Sequence, residues 1–176
     1  MPAPCSIATL NALDAEAFAA LLGSVFEHSP WIARAAFADR PFGSIAELHA
    51  AMLRVVANAS ADRQLRLLQQ HPMLAASPPA ALTAASAAEQ AGAGLDRLNA
   101  DEGAVLDALN HAYRARFGFP FIIAVRGQRD RLAILTALQS RVHNAPDREH
   151  ATALAEVAKI ARFRLNDLVA ECVDAG

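Results

Sequence analysis

The sequence predicts an all-α fold, a single-domain bundle of about seven to nine helices over residues 1–176, with a core from about residue 10 to residue 168. Apolar residues recur at intervals of three and four through most of the chain, which is the spacing of one face of an α-helix. Capping residues and proline or glycine breaks divide this pattern into segments of helical length. A chain of 176 residues is long enough for one domain with a sizeable core and short for two.

The first predicted helices lie before residue 44. Asp14 can cap a helix, and Ser29 with Pro30 supplies an N-cap and a first-turn proline for a short second one. Arg40-Pro-Phe-Gly43 ends that helix, because proline restricts the residue before it and glycine frees the backbone. The apolar positions of the first helix are Phe18, Leu21, Leu22, Val25 and Phe26.

The middle of the chain repeats this pattern. Ser44-Ile-Ala-Glu47 has the spacing of a capping box and opens a third helix, and Ser60 can start a fourth that stops just before Pro72. A loop with Pro78-Pro79 follows. The next helix enters through Ser86 and runs to about Asn99.

The last third contains three predicted helices and one ambiguous segment. Asp101 can open a helix with Val105, Leu109 and Ala112 inward and Gly118 as its stop. The run Phe121–Val125 has β-branched residues but is too short to assign. Leu132–Val142 is predicted to be helical, and Pro146 fits the first turn of a long final helix.

The composition indicates a soluble globular protein, with 54% hydrophobic residues and a formal net charge of −2. No basic excess favours nucleic acid, and no apolar run is long enough to span a bilayer. The N-terminus does not resemble a secretory signal, and the last residues do not match a peroxisomal address. Cys5 and Cys172 lack metal-site spacing, so we expect reduced thiols in a cytoplasmic protein.

His71 is the first candidate for chemistry. Because Pro72 disfavours the α conformation in the residue before it, His71 is expected at the C-terminal end of its helix. The helix dipole stabilises an imidazolium there, which suits a proton donor near neutral pH. A surface histidine that caps the helix is the alternative.

The segment that begins at Ser86 places an acid and an amide in one helical turn. Ser86 and Glu89 have capping-box spacing, so Glu89 could simply bond to the N–H of Ser86. The same turn could instead hold an anion or a polar ring. Gly92 and Gly94 are unfavourable in a helix interior, which close approach of a ligand or tight helix packing would explain.

Two further features could contribute to a site. The aromatic residues of Phe117-Gly-Phe-Pro-Phe121 could form a hydrophobic corner, or a wall that holds a flat ligand while main-chain N–H groups fix its polar edge. Arg164 occupies a core-facing position of the last helix, where a guanidinium needs an anion, either a carboxylate side chain or a ligand. The remaining histidines share no metal-ligand spacing, so we predict no metal.

Six short motifs also occur in a fixed order. They are Glu27-His-Ser-Pro-Trp31, Arg40-Pro-Phe42, His71-Pro-x-Leu-Ala75, Ser86-x-x-Glu-Gln-x-x-Ala-Gly-Leu95, Asn110-x-x-Tyr-Arg114 and Arg116-Phe-Gly-Phe-Pro-Phe-Ile122. In these motifs and their order the chain resembles the decarboxylases of 2-oxo-4-hydroxy-4-carboxy-5-ureidoimidazoline (OHCU), from about Leu10 to about Leu168. Each motif alone is weak evidence, whereas the ordered set is specific. Many members have Asp or Arg where this chain has Met73, so no polar role is expected at that position.

The resemblance implies an all-helical carboxy-lyase of urate breakdown, usually a homodimer and without a cofactor, that releases CO2 and forms (S)-allantoin. By resemblance His71 matches the catalytic histidine, as general acid or as the group that orients the departing carboxylate, and Glu89 acts beside it. The expected substrate contacts are Pro72, Ser86, Glu89, Gln90, Phe119, Pro120, Phe121, Ile122, Ile123 and Arg164.

Three other interpretations remain open from the sequence. A non-catalytic helical module could use the aromatic wall to bind a purine-like or imidazoline ligand. A structural interaction protein could use its apolar excess in an oligomer interface. The same scaffold could also act on another unstable imidazoline or hydantoin acid.

Overall fold

A computed structural model describes residues 4–75 and 82–170 of the chain and confirms the all-α prediction. The Pro78-Pro79 loop and Cys172 lie outside these residues. Within them two short strands, β1 (Cys5–Ser6) and β2 (Val169–Ala170), pair in parallel, and no helix is both long and apolar enough to cross a membrane. The nine helices of the described ranges are α1 (Ile7–Ala12), α2 (Ala15–Leu22), α3 (Pro30–Ala36), α4 (Ile45–Ala57), α5 (Ala61–Gln69), α6 (Ala84–Gly92), α7 (Ala100–Phe117), α8 (Arg131–Arg141) and α9 (Pro146–Leu168).

The described residues divide into two units. Residues 4–67 and 158–170 form the first unit, and residues 68–75 and 82–157 form the second. The first unit holds α1 to α4 and the strand pair, and the second holds α6 to α8; the divisions fall within α5 and α9. That the 176 residues form one domain stays a prediction.

The first unit follows the predicted caps closely. The Asp14 carboxylate accepts a hydrogen bond from the N–H of Ala17 at 2.8 Å, and α2 begins where expected. The Ser44 hydroxyl accepts from the N–H of Glu47 at 3.1 Å, while the Glu47 carboxylate accepts from Gly43 at 2.7 Å. Helix α3 packs against both α2 and α4. The apolar faces of these helices are buried at Phe18, Leu22, Ile32, Leu48 and Met52.

The Arg40-Pro-Phe42 motif ties the chain between α3 and α4 to the end of α1. The Arg40 guanidinium donates to the carbonyls of Asn11 and Leu13, each at 2.8 Å, and lies 3.4 Å from the centre of the Phe37 ring. The side-chain amide of Asn11 bonds to both the N–H and the carbonyl of Phe42. This motif therefore has a structural role, because it satisfies the backbone where two helices end.

Helix α7 in the second unit corrects two sequence predictions. Asn99, not Asp101, is the N-cap, and it forms a capping box with Glu102. The buried stripe lies one position beyond the predicted one, and Val105 is 49% exposed. The Nδ2 of Asn110 and the hydroxyl of Tyr113 donate to partners in the interior, which an apolar pattern alone cannot indicate. The buried residues are Leu106, Asn110 and Tyr113.

The helix predicted to run to about Asn99 ends earlier. Helix α6 stops at Gly92 because Gly94 adopts a left-handed φ of 73°, and a 3₁₀ turn, Leu95–Arg97, follows. The ambiguous run Phe121–Val125 is buried and belongs to neither a helix nor a strand up to Ala124, and Val125 begins a 3₁₀ turn, Val125–Gly127.

Two glycines of α7 allow a matched stability test. Gly118 is the predicted helix stop and has a φ of 78°, while Gly103 lies within the helix, and no atom lies within 4 Å of a Cβ built on either. We expect Gly118→Ala to lower the free energy of unfolding by about 1 kcal/mol, because a left-handed alanine is strained. Gly103→Ala should raise it by about 1 kcal/mol through helix propensity. Urea unfolding of the two variants measures both changes in the free energy of unfolding. Changes of the same sign and size would contradict the left-handed conformation assigned to Gly118.

Candidate active site

His71 lies immediately beyond the C-terminal end of α5. Its N–H donates to the carbonyl of Leu68 at 3.2 Å, which continues the helical turn, and its side chain is 7% exposed. The helix ends at Gln69, slightly before the predicted point. Burial excludes the alternative of a surface capping histidine. The imidazole is therefore buried just beyond the C-terminal end of α5.

The residues after His71 form a loop that two side-chain amides hold. The Gln90 side chain accepts from the N–H of Ala75 at 2.8 Å and donates to the carbonyl of Met73 at 3.4 Å. The side chain of Asn110 donates to the carbonyl of Leu74 at 3.0 Å. Gln90 thus connects α6 to residues 72–75, which we call the histidine loop. A substrate contact of Gln90 stays a prediction.

The capping-box interpretation of Ser86 and Glu89 is wrong. Thr83 is the N-cap of α6, and its hydroxyl accepts from the N–H of Ser86 at 3.3 Å. Ser86 is the third residue of the helix and is buried. Glu89, which is half-buried one turn later, is therefore not the partner of an N-terminal box.

Glu89 lines a pocket of about 330 Å³ within the second unit. This volume suits a small ligand. The other lining residues come from α6, from the 3₁₀ turn Val125–Gly127 and from the start of α8. No atom lies within 4 Å of a Cβ built on Gly92, another lining residue, so tight packing does not explain that glycine. A glycine there keeps the pocket open.

The residues Phe119–Ile123, which we call the aromatic segment, are all buried. They have features of both structures that the sequence suggested, a hydrophobic corner and a wall that holds a ligand. The rings of Phe119 and Phe121 pack edge-on against Tyr113, with centroids 5.9 and 5.3 Å away, as a hydrophobic corner would. The N–H groups of Ile122 and Ile123 have no hydrogen-bond partner among residues 4–75 and 82–170. Buried backbone donors of this kind need partners, which the polar edge of a ligand could supply.

A charged network that the sequence analysis missed holds this segment. The Glu149 carboxylate is 0% exposed and accepts from Arg141 at 2.9 and 2.6 Å, from Asn144 at 2.6 Å and from the Tyr113 hydroxyl. Arg141 also donates to the carbonyl of Ile122 at 2.9 Å. The network joins α7, α8 and α9 to the aromatic segment.

A second acid of α9 binds the backbone immediately after the aromatic segment. The carboxylate of Glu156 accepts from the N–H of Ala124 at 2.8 Å. Glu149 and Glu156 lie seven positions apart, on the same helical face, and both are buried. Two acids at this spacing within an apolar stripe are a sequence signal that could have identified them.

Arg164 is buried in the first unit, as its core-facing position predicted. Its guanidinium donates to the Glu27 carboxylate at 2.8 Å and to the carbonyl of Ser24 at 3.3 Å. The salt bridge that the sequence left open is therefore formed. Binding of a substrate anion by Arg164 stays a prediction. In the described parts of the chain, no group of three or more His, Cys, Asp or Glu side chains is arranged to hold a metal ion.

Comparisons with known proteins agree on one family. The family model for OHCU decarboxylase matches residues 11–166. The 2-oxo-4-hydroxy-4-carboxy-5-ureidoimidazoline decarboxylase of Haloferax volcanii is 44% identical over 156 residues, which are 89% of this chain and 91% of that protein.

Two solved structures are similar. A crystal structure of OHCU decarboxylase in the presence of (S)-allantoin has a TM-score of 0.66 and 25% identity, over 89% of this chain and 98% of that chain. A crystal structure of (S)-allantoin synthase has a TM-score of 0.71 and 34% identity, over 93% of this chain. The match covers 54% of the synthase, so this chain spans about half its length.

The only tyrosine of the sequence allows a direct test of the Glu149 network. Burial and, next, the hydrogen bond to Glu149 raise the pKa of Tyr113 well above its usual value. Stability from neutral Tyr113 is therefore complete below the unfolded tyrosine pKa of about 10 and is lost as pH rises above it. We expect stability measured by urea unfolding to fall above about pH 10 in the wild type and to fall less in Tyr113→Phe. Tyrosinate absorbance that appears near pH 10 in the folded protein would contradict the burial of this hydroxyl.

Proposed function

The chain belongs to the OHCU decarboxylase family, and we propose that it decarboxylates OHCU to (S)-allantoin in urate degradation, with His71 and Glu89 as catalytic residues and without a cofactor. The observation that carries this proposal is the family match over residues 11–166, because that range contains every predicted site residue from His71 to Arg164.

The reaction makes three demands on a protein. The bond between a ring carbon and the carboxylate breaks, CO2 leaves, and the electron pair stays on the ring, where the neighbouring unsaturated group can take it up. The protein must hold the carboxylate out of conjugation with the ring and stabilise the charge that develops. It must then deliver a proton to one face only, because the product is a single enantiomer.

His71 meets the last demand. A general acid works best when its pKa lies near the working pH, and histidine is the side chain whose ordinary pKa does so. Its burial keeps bulk water from supplying the proton to either face. In the proposed mechanism His71 orients the departing carboxylate and then protonates the ring.

The polar groups of α6 and of the aromatic segment would hold the substrate. Glu89 lines a pocket large enough for a ureidoimidazoline and can accept hydrogen bonds from ureido or ring N–H groups. The N–H groups of Ile122 and Ile123 can donate to ring oxygens, while Phe119 and Phe121 exclude water. Pro72, Ser86, Gln90 and Pro120 complete the proposed contacts, and Arg164 would pair with a substrate anion.

The state and location of the protein form a further part of the proposal. We expect a homodimer, as the family resemblance implies, and a cytoplasmic location, with the ureidoimidazoline substrate as its small-molecule partner and neither nucleic acid nor membrane as a partner. Sedimentation velocity of the purified chain tests the first expectation, and a single monomer boundary over the working concentration range would contradict it.

The decisive experiment is chiral. OHCU is generated from urate by the preceding enzymes, the chain is added, and circular dichroism follows the appearance of allantoin. We expect rapid formation of the S enantiomer, and loss of about 10²- to 10⁴-fold in rate in His71→Ala, the usual contribution of a general acid. His111→Ala is the matched control, because the His111 side chain is 66% exposed on α7.

Two results would contradict the proposal. Full enantioselective turnover by His71→Ala would remove the assigned role of His71. Slow racemic product that the chain does not change would remove the reaction itself. Tight binding of ring analogues without turnover would then favour the non-catalytic module.

A further inference from the structure

Asn110 occupies a position where its residue type is unexpected. It lies in the interior of α7 on the buried stripe between Leu106 and Tyr113, and it is 2% exposed. Asparagine is less favourable than leucine within a helix, and a buried amide costs free energy unless its hydrogen bonds are made. An apolar residue would suit both the helix and the core better.

The hydrogen bonds of the Asn110 side chain are directed at one target. Its Nδ2 donates to the carbonyl of Leu74 at 3.0 Å. Its Oδ1 is buried and has no hydrogen-bond partner among the described residues. A carbonyl can accept only from the nitrogen, so this orientation of the amide is required. A buried amide with only half of its hydrogen bonds made does not stabilise the fold. The role of Asn110 is therefore to hold the carbonyl of Leu74 in place.

Leu74 is the centre of a loop with little regular support. Gln90 binds the residues on either side of it, accepting from Ala75 and donating to Met73. Ala75 has a φ of 51°, a conformation that residues other than glycine rarely adopt. Two side-chain amides, one from α6 and one from α7, therefore hold three consecutive residues in an unfavourable backbone conformation.

Packing alone does not fix the loop. Leu74, Ala75 and Asn110 line a pocket of about 350 Å³, together with Leu106 of the same helix. Open space beside a loop leaves room for another position, so the hydrogen bond from Asn110 decides between them. His71 lies three residues before Leu74, and because Pro72 has a fixed φ, few free backbone angles separate the histidine from the held carbonyl.

We infer that Asn110 is a positioning residue for His71, acting through the carbonyl of Leu74 rather than by touching the substrate. This inference rests on the proposed function for its effect on turnover, while the position of the loop can be measured without it. A misplaced proton donor lowers kcat more than it raises KM, and an ångström of displacement can cost about 100-fold.

Three variants test the inference. Asn110→Leu removes the donor and supplies an apolar side chain of similar shape, so stability should fall because the buried Leu74 carbonyl loses its partner, while kcat falls about 10- to 100-fold. Asn110→Asp offers no donor when ionised but regains one when protonated. The ratio of its kcat to that of the wild type should therefore rise as pH falls, which a purely structural role does not predict.

Leu106→Val is the matched control. It removes a methylene group from the same helix and the same pocket without touching the Leu74 carbonyl, so it should lower stability while kcat stays within about twofold of wild type. Amide hydrogen exchange at Ala75 should be at least about tenfold faster in Asn110→Leu than in Leu106→Val, since local opening exposes this N–H.

The outcomes separate the two proposals. Wild-type kcat, KM and Ala75 exchange in Asn110→Leu would overturn the positioning role. An equal loss of kcat in Leu106→Val and Asn110→Leu would also overturn it, because general loosening of the core would then explain both. If the wild type shows no turnover but exchange at Ala75 is still faster in Asn110→Leu, the proposed function fails and the hold on the loop stands.

Discussion

The buried carboxylate of Glu149 is the constraint on which the second unit depends. A carboxylate that is 0% exposed must have its charge and its lone pairs satisfied by the protein, and removing one partner of such a group is far more costly than removing an exposed pair. Arg141, Asn144 and Tyr113 supply these partners from the surrounding helices and the α8–α9 connection. Loss of Arg141 would leave the charge unpaired, and loss of Asn144 or Tyr113 would leave one of its hydrogen bonds unmade. Arg141 also donates to the carbonyl of Ile122. The arginine that neutralises Glu149 therefore also fixes the position of the aromatic segment.

The histidine loop is held by different chemistry. Gln90 and Asn110 are neutral, and both act on backbone atoms. Neutral amides fix a backbone without adding a charge to the loop. The second unit thus holds the aromatic segment through ions and the loop after His71 through neutral amides.

Sequence reasoning named candidate site residues, and their surroundings escaped it for physical reasons. His71, Glu89 and the run from Phe119 to Ile123 were predicted because they belong to motifs in a fixed order and have distinct chemistry, and their roles stay predictions. Their surroundings were not predicted, because a hydrogen bond between a side chain and a distant backbone carbonyl leaves no periodic signal. Glu149 and Arg141 were missed for a related reason. Each is a charged residue on a helix, and only its neighbours in space distinguish a buried one from an exposed one.

The sequence by itself determined the helices. Spacing, caps and proline breaks are local, so α2, α4, α8 and α9 begin within a residue of their predicted starts. It also determined the family, since six motifs in order are specific. Only the tertiary structure decided which face of α7 is buried and that two amides hold the loop after His71. These depend on partners more than a dozen residues away, and hydrogen bonding inside a packed core decides them where local preference is weak or opposed.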